Sequence, residues 1–230
     1  MLSSIGELIE FTTQNAMGNH PIMNFTFRGQ KKAEYKLTSS LKRSSKSNLN
    51  YIENRTLINF RKYGQVFSSQ LCDSVWNNMI IAQHHGLPTR LLDFIVSPLV
   101  ATYFALSDIN SDDTAAVWAI SHVKIHDLLP KRYKEMLREH MGRSFTVEML
   151  NDLGITISQY NNDMGNFSLL FIEPPSIDQR IVNQFSHFAL IPDCLDPMDD
   201  FLEQLTIPNV AYKFLITPKK KSYFVNSLIQ

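Results

Sequence analysis

Residues 82–106, AQHHGLPTRLLDFIVSPLVATYFAL, constrain the fold more than any other stretch of the chain. His84, His85, Arg90, Asp93 and Ser97 fall here between two strongly apolar runs. Gly86 and Pro88 end an incoming helix, because the residue before a proline is driven out of the helical region. Thr89 to Phe94 reads as a short extended piece. Ser97-Pro98 then opens a new helix: serine is a favoured N-cap, and proline is tolerated at the first helical position. Val100, Tyr103 and Phe104 recur at helical spacing, while Ala101 and Ala105 leave room for another element to approach. The order is helix, tight polar loop, short strand, helix, which is a common setting for a site.

The same periodicities organise the rest. Ile5 to Gln14 is expected to be an opening helix, and Ile22 to Phe27 an aromatic-rich strand with Arg28-Gly29-Gln30 at its end. Helices are predicted over 50–67, 73–85, 122–142 and 145–153, the last ended by Gly154. Strands are predicted over 115–120, 169–172, 188–191 and 210–216. A single turn at 180–184, an acidic helix over 197–205 and a short closing helix after Lys219-Lys220-Lys221 complete the reading. No βαβ fingerprint is visible. The expectation is an α+β fold, one domain across residues 1–230, with mostly antiparallel strands and flanking helices.

Net charge is formally zero, so global electrostatics give no argument for nucleic acid or an acidic membrane. No run approaches the ~20 apolar residues needed to span a bilayer, and the N-terminal MLSSIGELIEF lacks the basic region of a secretory signal. Cys72 and Cys194 form no metal or redox motif, so the expectation is a cytoplasmic protein without a metal. The oligomeric state is left open. One local departure stands out. Residues 28–46 carry Arg28, Lys31, Lys32, Lys36, Lys42, Arg43 and Lys46 against one acid, Glu34. This is either a solvated loop or a phosphate-attracting rim for a nucleotide or nucleic acid, with Tyr35, Phe25 and Phe27 as stacking faces.

HHGLPTRLLDF-x-x-SPLVATYFA, with Phe27-Arg28-Gly29-Gln30 upstream and Arg180…Gln184…Phe188 late, resembles the FRG domain over about residues 25–190. More distantly, a strand ending in aromatic-x-Arg-Gly, then serine and a helix, then a polar residue entering a late strand, is similar to the layout of ADP-ribosyltransferases. That resemblance implies NAD as substrate, with Arg28 on the dinucleotide, Ser97 and Tyr103 around the nicotinamide, and the Gln184 region at the ribose. It also implies a toxin or phage-defence role. Position 184 is glutamine where the resemblance implies glutamate, and a neutral amide stabilises an oxocarbenium-like state less than a carboxylate does. Either Glu173 or Glu203 replaces it, or the reaction differs, or the domain only binds a phosphate-containing ligand.

The residues themselves leave alternatives. An arginine fork at Arg28 suits bidentate phosphate or carboxylate, or an internal pair with Asp93. Gly29 would let a ligand approach the backbone, with Gln30 beside it. His85 is an acid–base candidate or a helix C-cap; adjacent His84 points about 100° away, which disfavours a shared metal. Arg90 is either a ligand contact or the partner of Asp93 in a pair bracing the loop. Ser97 is an N-cap whose helix can receive an anion. Arg180 and Gln184 would share one face of a turn, and Glu173 is a candidate catalytic acid or a surface carboxylate at a strand end.

Overall fold

Alternation in FTFRGQ sends Phe25, Phe27 and Gly29 to one side of a strand and Thr26, Arg28 and Gln30 to the other. The run forms β1 (Phe25–Gln30), in a computed structural model that describes residues 6–8, 10, 24–45, 47–64, 71, 73–175 and 186–229. Arg28, Gly29 and Gln30 are therefore the last three residues of the strand itself, which was expected to stop at Phe27. Five strands join it: β2 (Leu91–Ile95), β3 (Ala115–Ser121), β4 (Leu170–Ile172), β5 (Ser186–Leu190) and β6 (Ala211–Ile216). They make one sheet in the order β4-β5-β2-β1-β3-β6, antiparallel at every step. The expected α+β class and antiparallel sheet are what the chain adopts.

Helices α1 (Ser40–Ser44), α2 (Leu49–Gly64) and α3 (Val75–His84) separate β1 from β2. Next comes α4 (Pro98–Ala105), with Ser97 Oγ accepting from Val100 N–H at 3.4 Å as its N-cap. The helix expected over 122–142 is two, α5 (His122–His126) and α6 (Lys131–Glu139), because the chain turns extended at Pro130. Helices α7 (Val147–Asp152) and α8 (Ile157–Met164) follow, and α9 (Met198–Gln204) and α10 (Pro218–Ile229) flank β6. Of the opening helix expected over 5–14, residues 6–8 and 10 are described and helical, with Leu8 buried. The turn expected at 180–184 lies outside the described residues. Among the described residues no helix is long and apolar enough to cross a membrane.

On one sheet face, Phe25, Phe27 and Val117 meet Ala101 and Ala105 of α4. The approach is close. A methyl on Gly29 would sit 1.9 Å from the Ala101 carbonyl oxygen and 2.6 Å from the Ala105 nitrogen. Helix packing therefore demands glycine at position 29. On the other face, Leu92, Phe94, Trp118 and Ile120 pack with Leu37 and with Phe201 and Leu202 of α9. A third cluster, around Trp76, Tyr133, Phe145 and Tyr160, fills the space among α3, α6, α7 and α8.

Three histidines sit in this interior. His126 shares Nδ1 with the Arg143 carbonyl at 2.9 Å and accepts from Phe171 N–H through Nε2 at 2.9 Å, so its neutral form is fully used. His187 lies 5.1 Å from His122, ring centre to ring centre, and both its nitrogens lack partners among the described residues, as does His122 Nδ1. Burial drives the pKa of His126 down to about 4, that of His187 down to about 3, and that of His122 well below the ordinary 6.5. The folded state thus binds fewer protons than the unfolded chain in this window. Stability from these groups is present above pH 6.5 and is lost as pH falls through about 4 and then 3. His187→Phe is expected to lower the acid-unfolding midpoint, read by circular dichroism, by about half a pH unit or more; an unchanged midpoint would contradict this.

Candidate functional site

Neighbouring strands in the body of this sheet pair along their length, with one exception. β1 matches β3 over six residue pairs and β2 matches β5 over five, but β1 and β2 share only Phe27 opposite Ile95. Beyond that pair the two strands diverge, and the sheet opens. A cavity of about 730 Å³ occupies this region, within the roughly 300–1,000 Å³ of small-molecule sites. Its walls come from β1 at Arg28, Gly29 and Gln30 and from β2 at Asp93, Phe94 and Ile95. Phe104 and Ser107 contribute from the end of α4, and Tyr35, Lys36, Thr38 and Arg43 from the segment leading through α1. Lys31 and Ser186 complete it.

Charge at this cavity is one-sided. Four cations line it, Arg28, Lys31, Lys36 and Arg43, against the single carboxylate of Asp93. Arg28 spans the opening: Nη1 donates to the Asp93 carbonyl and stands 4.0 Å from Asp93 Oδ2. Its Nε is buried and has no hydrogen-bond partner among the described residues. Burial lowers the Arg28 pKa, Asp93 opposes that shift, and Arg43 adds to it by repulsion. An anion bound beside Arg28 would offset that repulsion. Lys36 is less available: its Nζ lies 3.0 Å from Asp199 Oδ2 and 2.7 Å from Asp200 Oδ1, and both carboxylates raise its pKa.

The wall formed by residues 31–39 is held from α9 and the residues before it. Asp199 Oδ1 accepts from Leu37 N–H at 2.8 Å, and Asp196 accepts from Ser39 N–H at 3.2 Å and from its hydroxyl. Gln30 ties the same wall to the sheet, donating to the Lys36 carbonyl at 3.4 Å and accepting from Trp118 Nε1 at 2.9 Å. Both ends of its amide are therefore engaged in bracing.

Arg28, Gly29 and Gln30 border the cavity, whereas the other expected residues that are described do not line it. His85 is the exposed C-cap of α3, its ring 6.0 Å from Phe60. Ser97 serves its helix. Tyr103 is exposed outside the cavity walls, and its neighbour Phe104 faces in. Glu173 is an exposed residue following β4. Arg180 and Gln184 lie outside the described residues. Asp93, read as a brace for Arg90, instead accepts from Gln83 Nε2 at 2.9 Å, and Gln83 in turn accepts from Thr89 Oγ1. Among the described residues, no group of three or more His, Cys, Asp or Glu side chains could hold a metal ion.

Arg90 is buried at the root of β2, away from the cavity, with a different partner. Its Nε donates to Glu53 Oε2 at 2.6 Å, and its backbone N–H to Glu53 Oε1 at 3.0 Å. Nη1 donates to Asn161 Oδ1 at 2.6 Å, Nη2 to Asn50 Oδ1 at 2.9 Å, and Asp193 stands 3.1 Å away. Burial alone would lower the Arg90 pKa, but Glu53 and Asp193 raise it overall. Glu53 was not expected here; its place on the inner face of α2, among Leu57 and other apolar residues, was the available signal. Removing one partner of a buried pair strands the other charge, so Glu53→Leu is expected to cost about 3–5 kcal/mol in urea unfolding. A loss below about 1 kcal/mol would show the pair to be dispensable.

Comparison with known proteins gives one match. Residues 23–114 match the family model described as the FRG domain. This span runs from just before β1 to the start of β3, so it includes the Arg28 motif and the 82–106 stretch but not the late block near 180–188. No curated protein and no solved structure matches the chain. Residues 23–114 carry an FRG domain, and the remaining strands of the sheet come from outside it.

Proposed function

We propose that the cavity between β1 and β2 binds a phosphate-containing ligand, and that the protein acts through that binding. One observation carries the reading: Arg28, Lys31 and Arg43, with Lys36 held by Asp199 and Asp200, border a half-open cavity lined by the single carboxylate of Asp93. Arginine forks bind phosphate oxygens bidentately, and such charge-assisted bonds are stronger than neutral ones. Exposed Lys31 and Arg43 supply charge at the rim, whereas Arg28 supplies it at the floor. Pyrophosphate is the simplest probe. Titration calorimetry is expected to show saturable binding that weakens with added salt, and Arg43→Ala is expected to weaken it about ten- to hundredfold. Equal affinity in the wild type and the variant would remove the reading.

A second reading, cleavage of NAD as an ADP-ribosyltransferase or NAD glycohydrolase would perform it, has one feature in its favour. Asp93 brings a carboxylate, 63% exposed, to the cavity beside Arg28. An oxocarbenium-like state needs such a negative charge nearby, which glutamine at position 184 does not provide. On this reading purified protein releases nicotinamide from NAD, and Asp93→Asn lowers the rate about a hundredfold or more. Without release, with or without added acceptor protein or RNA, only the binding role remains.

A further inference from the structure

The cavity carries more than positive charge. Among the described residues, Tyr35 is 49% exposed and Phe104 39% exposed, and both line it. Phe94 and Ile95 border it as well. A site for a bare phosphate has no use for aromatic rings left in contact with water, which is an unfavourable placement for apolar surface unless something covers it. The two rings come from opposite sides of the sheet, Tyr35 from the wall at 31–39 and Phe104 from α4. Arg28 stands on β1, Lys31 and Lys36 on the same wall as Tyr35, and Arg43 on α1. Thus one ligand reaching across the opening would meet guanidinium and ammonium groups at one part and a π-face at another.

We infer that the ligand is a nucleotide, with its phosphate on Arg28 and Arg43 and its base stacked on Tyr35 or Phe104. This rests on the phosphate-binding reading above and adds the base to it. Stacking on an aromatic face tolerates any base, so the site selects a planar ring joined to a phosphate and not one particular base. The cavity volume of about 730 Å³ is of the size that holds one small molecule such as a free nucleotide.

The test compares adenosine 5′-monophosphate, ribose 5-phosphate, adenosine and a ten-nucleotide single-stranded RNA on the full chain by titration calorimetry. Adenosine 5′-monophosphate is expected to bind at least about tenfold more tightly than ribose 5-phosphate. Tyr35→Ala or Phe104→Ala is expected to remove most of that difference while leaving ribose 5-phosphate affinity unchanged. Both side chains are partly exposed, and melting temperatures of the variants within a few degrees of the parent verify that they fold. Equal affinity for the two phosphates, or insensitivity to both substitutions, overturns the base-stacking inference and leaves phosphate binding standing. Binding of neither phosphate overturns both. RNA binding more than a hundredfold tighter than adenosine 5′-monophosphate overturns the enclosed-nucleotide inference in favour of a surface tract.

Discussion

The buried pair of Arg90 and Glu53 is the contact on which the arrangement turns. A guanidinium withdrawn from water is costly unless its donors are satisfied, and here Glu53, Asn50, Asn161 and Asp193 surround it. Those partners come from α2, α8 and the turn after β5, so one side chain joins parts of the chain distant in sequence. It sits at the foot of β2, the strand that pairs with β5 over five residues and with β1 only at Phe27 and Ile95.

A sheet broken between its middle strands exposes backbone groups that must be met otherwise. Arg28 meets one, the carbonyl of Asp93. The signature residues around it divide the remaining tasks. Phe27 fills the core, Gly29 admits α4, and Gln30 fastens Trp118 to the wall at Lys36. Three of these four residues thus have structural reasons for their identity, and Arg28 has both a structural reason and an opening beside it. Motif residues of this kind build the hollow as much as they serve its contents.

Local chemistry was legible in the sequence. Ser97-Pro98 marked the start of α4 because capping depends on neighbours within one turn. Ala115 to Ile120 read as a strand because its apolar run is compact and β-sized. What escaped depends on distant partners. Glu53 is buried because Arg90, 37 residues away, meets it. Whether Tyr103 or Phe104 faces the cavity depends on how α4 is rotated on the sheet, which its own periodicity does not specify. Helix α8 had a local signal, the Thr156–Gln159 capping box, that the apolar pattern obscured. His85 was drawn into the site by proximity in sequence, whereas it caps the end of α3 and is exposed there.

Strand order also governs how the molecule is made. Within residues 23–114 the two strands touch at one pair, and their extended partners are β3 and β5. On a ribosome, β1 waits until residue 121 has emerged, and β2 until residue 190. At synthesis rates of roughly 5–20 residues per second, the second delay lasts several seconds. Throughout that interval the nascent chain presents Leu91, Leu92 and Phe94 without their sheet neighbours, as a natural client for chaperones that shield apolar strands.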